Sequence, residues 1–315
     1  MTIAAVLAGY AACTGTLGSR LLGRARWPAR APLLAILTYL AAAWSVVAAL
    51  GLAGLTLAVH ATVLGGGLSH LTGACVHRLR AAYDTSGGAA VAGLGLILAG
   101  AVAARTAVTA LAHLRAAGRQ ATRHAQAARL AGHPEPALGA VLVEHARPHA
   151  YCVAGRQPTV IVTTAAVAAL DPGQLDAVLA HERAHLASRH HRLLALARIG
   201  RRVLPFLPLM RDADKQVARL AEMHADDAAT RACDPRSLAT ALVTLATAAS
   251  PAPGLAAAGT DPVQRIHRML GPAEHLSPAR RQLLRGTAAA FAVAPVLLAL
   301  APALLALALG RVPAA

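Results

Sequence analysis

The sequence predicts a mainly α-helical integral membrane protein, with four transmembrane helices and an α+β domain between the third and the fourth. Of the 315 residues, 56% are hydrophobic although only 3% are aromatic. Four separate apolar runs also approach the ~20 residues with which a helix crosses a bilayer core. These runs cover residues 1–19, 31–59, 87–104 and 286–310. The chain is therefore expected to divide into 1–111, with three membrane helices, a domain at 112–285 and a last membrane helix at 286–315.

Arginines lie next to the first and third apolar runs and bear on how each run is interpreted. Arginines follow the first run instead of preceding it, which is opposite to a cleaved secretory signal, so a retained helix is expected. The third run meets Arg105, which suits a helix end because a long arginine side chain can extend to the membrane interface.

Arginine clusters predict how the protein is oriented. They lie at 20–30, at 105–123 and at 280–285, and positive residues near helix ends stay in the cytoplasm. We therefore expect a bacterial plasma membrane protein with both termini outside and 112–285 in the cytoplasm. Orientation and attraction to an anionic leaflet explain the net charge of +16, and no aromatic stacking platform accompanies the arginines, so direct nucleic-acid binding is not expected.

The 112–285 segment combines helices with short strands. A basic helix is expected at 112–130, followed by a turn at 132–136. Short β-branched runs at 141–143 and 158–163 are interpreted as neighbouring strands. The second starts with a proline, which suits an edge strand, and an extended substrate could add to it. Its candidate substrate-binding residues are Pro158, Thr159, Val160, Ile161, Val162 and Thr163.

A histidine motif follows on the next predicted helix, which begins at Asp171-Pro172 with an N-cap and a first-turn proline. In Leu179-Ala-His-Glu-Arg-Ala-His-Leu186, His181 and His185 are four residues apart and share one helix face. Neutral imidazoles are good zinc ligands, and Glu182 is adjacent to them. A hydrolytic zinc site uses three protein ligands, so a third one is required.

Two residues are candidates for the third ligand. His191 has the spacing of the long pattern H-E-x-x-H-x-x-G-x-x-H, but Ser188 replaces the glycine that allows the sharp turn. The helix is therefore expected to continue, with His190 and His191 at the surface or an interface. Glu222 is favoured, because Asp226, four residues later, could accept the free N–H of a ligand histidine. One Zn²⁺ per chain is expected.

Three segments, namely the strand region 151–163, His181-Glu-Arg-Ala-His185 and Glu222-Met-His-Ala-Asp226, resemble those of the membrane zinc peptidases of the BlaR/MecR antirepressor type, which are relatives of gluzincins such as HtpX and Ste24. The arrangement of the membrane helices, three before this domain and one after it, is also similar. The resemblance covers most of the chain and implies a zincin-like fold and zinc metalloendopeptidase activity. It implies that His181, His185 and Glu222 hold Zn²⁺ and that Glu182 is the catalytic base. The implied substrate is a cytoplasmic protein such as a DNA-binding transcriptional repressor. No penicillin-binding sensor domain follows the last helix, so direct β-lactam sensing is not expected.

Three other functions stay open. The protein could be a quality-control protease for membrane proteins, like other relatives. It could be a non-catalytic zinc-bearing signalling scaffold, although a scaffold has no need of Glu182. It could also be a metal transporter, a hypothesis motivated by His60, His70 and His77.

Overall fold

Long apolar helices and a small sheet make up the part of the chain that the computed structural model describes, residues 2–59, 88–155, 157–249, 261–272 and 276–308. The first half contains α1 (Thr2–Cys13), a π-helical turn (Thr14–Gly18), α2 (Ser19–Arg24), a 3₁₀ turn (Trp27–Arg30), α3 (Pro32–Val59), α4 (Gly88–Ala131), β1 (Gly132–Glu135), β2 (Ala140–Val143), β3 (Ala150–Val153) and β4 (Thr159–Thr163). The second half contains α5 (Thr164–Ala169), α6 (Pro172–Ala187), α7 (His190–Val203), α8 (Pro208–Ala229), α9 (Pro235–Ala249), α10 (Asp261–Leu270) and α11 (Pro278–Ala308).

Four helical segments among the described residues are long and apolar enough to cross a membrane, and each overlaps a predicted run. They are Thr2–Arg24, Pro32–Ala58, Ala90–Ala131 and Pro278–Ala301. This property of length and composition supports membrane association. His60, His70 and His77, which motivated the transporter hypothesis, lie outside the described residues.

The prediction that the third helix ends near Arg105 is wrong. Helix α4 is 44 residues long in total and continues past Arg105 to Ala131, so it includes the basic helix that was predicted separately. The Arg105 guanidinium donates hydrogen bonds to the carbonyls of Arg202 and Val203, at 2.8 and 2.6 Å. Arg105 therefore satisfies carbonyls at the end of α7 that have no partner within that helix.

Helix α3 is the centre of the membrane-type bundle and also supports the α+β domain. Its buried side chains include Ile36 and Tyr39, which belong to the same core as Leu209, Met210 and Leu220 of α8. Helix α8 is therefore held along its apolar face against the long apolar helix α3.

Close contact between α3 and α4 depends on glycine. A Cβ atom at Gly95 would lie 2.6 Å from the carbonyl oxygen of Gly54, whereas a Cβ at Gly93 would meet no atom within 4 Å. We expect Gly95→Val to lower the free energy of unfolding by about 1–3 kcal/mol more than Gly93→Val, because overpacking separates the helices. Both variants carry the same change of helix propensity, so it cancels in the comparison. Unfolding of the purified variants measures the difference, and equal stability would contradict this packing.

The sheet has the strand order β1-β2-β4-β3. Strands β2 and β4 are parallel neighbours, with Val141 opposite Ile161, which confirms that the two predicted strands are adjacent. The turn predicted at 132–136 is wrong. Strand β1 occupies most of it and pairs with β2 through a hairpin in which Gly139 adopts a φ of +54°. Pro134 is tolerated because β1 is an edge strand.

The prediction that 158–163 forms an edge strand is also wrong. Strand β4 is paired on both sides, because β3 folds back antiparallel against it with Tyr151 opposite Ile161. Its side chains are largely buried against α6, with Val160 and Val162 in the same cluster as Leu179. The edge nearest α6 is therefore β3.

Helix α6 begins as predicted. The Asp171 carboxylate accepts a hydrogen bond from the Gln174 amide at 2.8 Å, and the Gln174 side chain accepts one from the Asp171 amide at 3.3 Å. The expected continuation past Ser188 is wrong, because α6 ends at Ala187 and Arg189 takes a left-handed conformation with a φ of 51°. This turn redirects the chain so that the first residue of α7, His190, enters the protein interior.

Candidate metal centre

Helices α6 and α8 bring the three proposed metal ligands together. The Nε2 atoms of His181 and His185 are 3.1 Å apart. The Glu222 carboxylate comes from α8, with Oε2 3.5 Å from His181 Nε2 and Oε1 3.5 Å from His185 Nε2. The donor atoms of all three residues lie within 4.8 Å of one another. His191, the alternative third ligand, is exposed on α7 and is not part of this cluster.

These distances fit a tetrahedral zinc ion. Zinc bonds of about 2.0–2.2 Å in tetrahedral geometry separate two ligand atoms by about 3.3–3.5 Å. The cluster also favours positive charge at this point. Burial lowers the pKa of His181, but the Asp226 and Glu222 carboxylates raise it more, and the pKa is raised to about 9. The donor set, two imidazoles and a carboxylate, is one that catalytic zinc uses.

Asp226 supports the His181 ligand from the protein interior. It is fully buried, and its Oδ1 lies 3.1 Å from His181 Nδ1. Arg265 on α10 donates to both oxygens of Asp226, at 2.7 and 2.8 Å. Burial alone would raise the pKa of Asp226, but Arg265 and His181 hold it below its usual range. An ionised Asp226 fixes which nitrogen of His181 faces the cluster.

Arg265 was not identified in the sequence. It also lies 3.0 Å from Glu222, so one guanidinium contacts both carboxylates of the α8 motif. Burial would raise the pKa of Glu222, and His181 and Arg265 lower it. No local pattern indicates Arg265, because its role depends on how α10 packs against α8.

Glu182 lies on α6 beside the ligands and against the edge strand β3. Its carboxylate accepts hydrogen bonds from the amide and the thiol of Cys152. Burial raises the pKa of Glu182, and burial together with Glu182 raises the pKa of Cys152 to about 12. The thiol is therefore protonated, and by donating its hydrogen bond it orients the Glu182 carboxylate. No local sequence pattern indicated a role for Cys152.

A chain of histidines leads away from the cluster. His190 is 1% exposed, which corrects the prediction that it lies at a surface or interface. Its Nδ1 is 2.9 Å from His185 Nδ1, and its Nε2 is 3.0 Å from His224 Nδ1. Each of these two contacts needs one donor and one acceptor nitrogen. This is met when His185 Nδ1–H donates to His190 Nδ1 and His190 Nε2–H donates to His224 Nδ1. This tautomer order leaves the His185 Nε2 lone pair directed at the cluster.

Burial lowers the pKa of His190 to about 3 and that of His185 to about 4, so both rings are neutral at neutral pH. Neutral rings suit a hydrogen-bonded chain of this kind, since each then has one donor and one acceptor nitrogen. His224, for which the sequence predicted no ligand role, is the outer member of the chain.

We expect His190→Leu to weaken zinc binding about 10- to 100-fold, because partners that orient a ligand histidine affect metal affinity by this factor. The matched control is His191→Leu, which changes the exposed neighbour on the same turn of α7. Zinc dissociation constants of both variants can be measured by competition with a chelator, with thermal unfolding as a check on folding. Equal constants in wild type and His190→Leu would show that His190 only fills space.

Residues 113–210 match the model of peptidase family M48. The match includes the end of α4, the whole sheet, α6 with its His181-Glu182-His185 motif, and α7, and it ends before Glu222. No curated protein and no solved structure matches the chain. The match supports the M48 metallopeptidase family, which is zinc-dependent, and the His, His, Glu cluster is a possible site for that ion.

Proposed function

We propose that this protein is a membrane-embedded zinc endopeptidase that hydrolyses a peptide bond in a cytoplasmic protein. The observation that carries the proposal is the convergence of His181, His185 and Glu222, with Glu182 beside them on α6. Apolar helices flank this domain in the chain, and the family match supports a metallopeptidase. The arginine clusters favour a cytoplasmic position for the domain, in a bacterial plasma membrane with both termini outside.

In this mechanism His181, His185 and Glu222 would hold the zinc ion, which supplies Lewis acidity and makes a nearby water more acidic. Glu182 accepts a proton from the attacking water and then donates it to the departing amine. Cys152 keeps the Glu182 carboxylate in position, and Asp226 with Arg265 does the same for His181. His190 orients the second ligand, His185.

The substrate strand is expected to add to β3 and not to β4. The Thr163 amide donates to the His149 carbonyl at 3.0 Å, and backbone groups alternate in direction along an antiparallel strand. The N–H and C=O of Ala150 therefore point away from β4, towards the free edge. A peptide on that edge would run beside Cys152, which contacts Glu182.

Ala150→Pro tests this assignment. Proline removes an N–H that bonds to no other strand of the sheet, so we expect the fold to persist. We expect kcat/KM for protein substrates to fall about tenfold, because one backbone hydrogen bond to the substrate is lost. Ala150→Val is the matched control, since it keeps the N–H and suits a strand. Peptidase assays and thermal unfolding of both variants give the comparison. Unchanged kcat/KM in a folded Ala150→Pro protein would place the substrate elsewhere.

For the substrate we propose a DNA-binding transcriptional repressor, which the resemblance to BlaR/MecR-type peptidases supports. The test compares new protein N-termini in cells that carry wild type or Glu182→Gln, under several envelope stresses. A wild-type-only cut in one soluble DNA-binding protein is the expected result. Cuts scattered through membrane proteins would indicate quality control instead, and no difference under any stress would contradict the peptidase and favour a zinc-bearing scaffold.

A further inference from the structure

A basic cavity of about 970 Å³ contains none of the three metal ligands but reaches His224, the outer member of the histidine chain, and lies between the first turns of α3 and α11 and the ends of α8 and α10. Six of its lining residues are arginines from four separate parts of the chain. These are Arg26, Arg30, Arg231, Arg268, Arg281 and Arg285. Cationic side chains from distant segments converge on one space, which concentrates positive potential there.

Among the described residues, one carboxylate belongs to this lining, and it is already neutralised. Asp227 pairs with Arg268, whose guanidinium nitrogens lie 2.6 and 2.7 Å from its two oxygens. Arg268 is also held by the Ala29 carbonyl at 2.7 Å, so this pair is part of the wall. Four of the other five arginines, Arg26, Arg231, Arg281 and Arg285, have no carboxylate at ion-pair distance among the residues that the structure describes. The cavity therefore presents guanidinium groups that are available to an anion.

One wall of the cavity is apolar and leads along a membrane helix. Pro32, Leu33 and Leu34 of α3 line it, and Leu33 is 39% exposed. Leu37, one turn further on the same face, is 46% exposed. Arg281 and Arg285 are likewise four residues apart in the first turns of α11, directly before its apolar part. The charged and apolar walls meet where both helices would enter the bilayer, as they would for a ligand with an anionic head and a hydrocarbon tail.

We propose that this cavity binds the headgroup phosphate of an anionic phospholipid, with its acyl chains along α3. The arginines bind phosphate oxygens through charge-assisted hydrogen bonds, and Leu33 and Leu37 contact the first part of a chain. Free inorganic phosphate shares the headgroup chemistry but makes no use of the apolar wall. Because α8 contributes both Asp227 to this cavity and Glu222 to the metal cluster, a bound lipid fixes the ligand-bearing helix relative to the bilayer.

The inference rests on the membrane position in the proposed function, and it is tested separately from peptidase activity. The full chain is reconstituted in nanodiscs of mixed phosphatidylglycerol and phosphatidylcholine, released into detergent and examined by native mass spectrometry. We expect wild type to retain phosphatidylglycerol in preference to phosphatidylcholine. In the double variant Arg281→Gln/Arg285→Gln, the ratio of retained phosphatidylglycerol to phosphatidylcholine should fall about tenfold. In Arg231→Gln this ratio should fall by a smaller factor.

The matched control is Arg119→Gln/Arg123→Gln, an exposed pair four residues apart on α4 that lies outside the cavity. Equal losses in both double variants would mean unspecific charge attraction and overturn the proposal. Displacement of phosphatidylglycerol by inorganic phosphate, without any effect of Leu33→Ser, would assign the cavity to soluble phosphate and also overturn it. A protein that stays soluble without detergent would instead refute the membrane position itself. Thermal unfolding of each variant verifies that it is folded.

Discussion

In Glu182→Gln, peptide-bond hydrolysis is expected to fall about 10²- to 10⁴-fold, the range over which a positioned general base accelerates a reaction. The amide has nearly the size of the carboxylate, so α6 and its contact with Cys152 should persist. The three ligands are unchanged, so zinc content should also be unchanged. Activity on an unfolded protein substrate and metal content of the purified enzyme are the two measurements.

Asp176→Asn is the matched control for this prediction. It makes the same carboxylate-to-amide change on an exposed position of the same helix. We expect its activity to equal that of wild type. Full activity in Glu182→Gln with bound zinc would exclude Glu182 as the base, whereas no activity in either wild type or variant would favour a scaffold.

Zinc binding is expected to depend on Glu222 and not on His191. In Glu222→Ala the carboxylate between the two imidazoles is lost, so zinc affinity should fall by more than the roughly 10- to 100-fold that follows removal of a supporting partner. The cost of leaving Arg265 beside the cluster without this carboxylate adds to the effect, because its positive charge would then oppose the metal.

His191→Ala is the decisive comparison, because it removes the rival third ligand. It should purify with one zinc ion per chain, while Glu222→Ala should purify with almost none, as measured by elemental analysis after dialysis. Loss of zinc from His191→Ala with retention in Glu222→Ala would reverse the assignment of the third ligand. Loss from both would point to a folding defect, which unfolding curves would detect.

Some features could be predicted because they are local. The N-terminus of α6 follows from Asp171 and Gln174, which accept hydrogen bonds from free amides of the first turn, and from Pro172, which has no N–H to satisfy. The shared face of His181 and His185 follows from helix geometry alone. The lengths of the apolar runs likewise predicted four membrane-type helices. The third of them, α4, does not end near Arg105 but continues into the basic segment as one helix.

The order of the strands could not be predicted from local sequence. Strands β3 and β4 are close in sequence, yet which of them forms the edge depends on β2 pairing with β4 in parallel. Pro158 suited an edge, but it precedes the strand and leaves the ladder of β4 intact. The strand that forms the edge is therefore β3 and not the predicted β4, and the substrate is accordingly proposed to bind beside β3.

The sequence by itself determined the His181-Glu182-His185 motif, the acidic Glu222 and Asp226 pair and the apolar helices, because each is a periodicity within one helix. Only the tertiary structure brought Glu222 to the two histidines, Arg265 to Asp226, and His190 into the interior behind His185. The last of these required Arg189, and not a glycine, to adopt a left-handed backbone conformation. Contacts between helices arise from packing of their buried faces, and no spacing within one helix encodes which partner it meets.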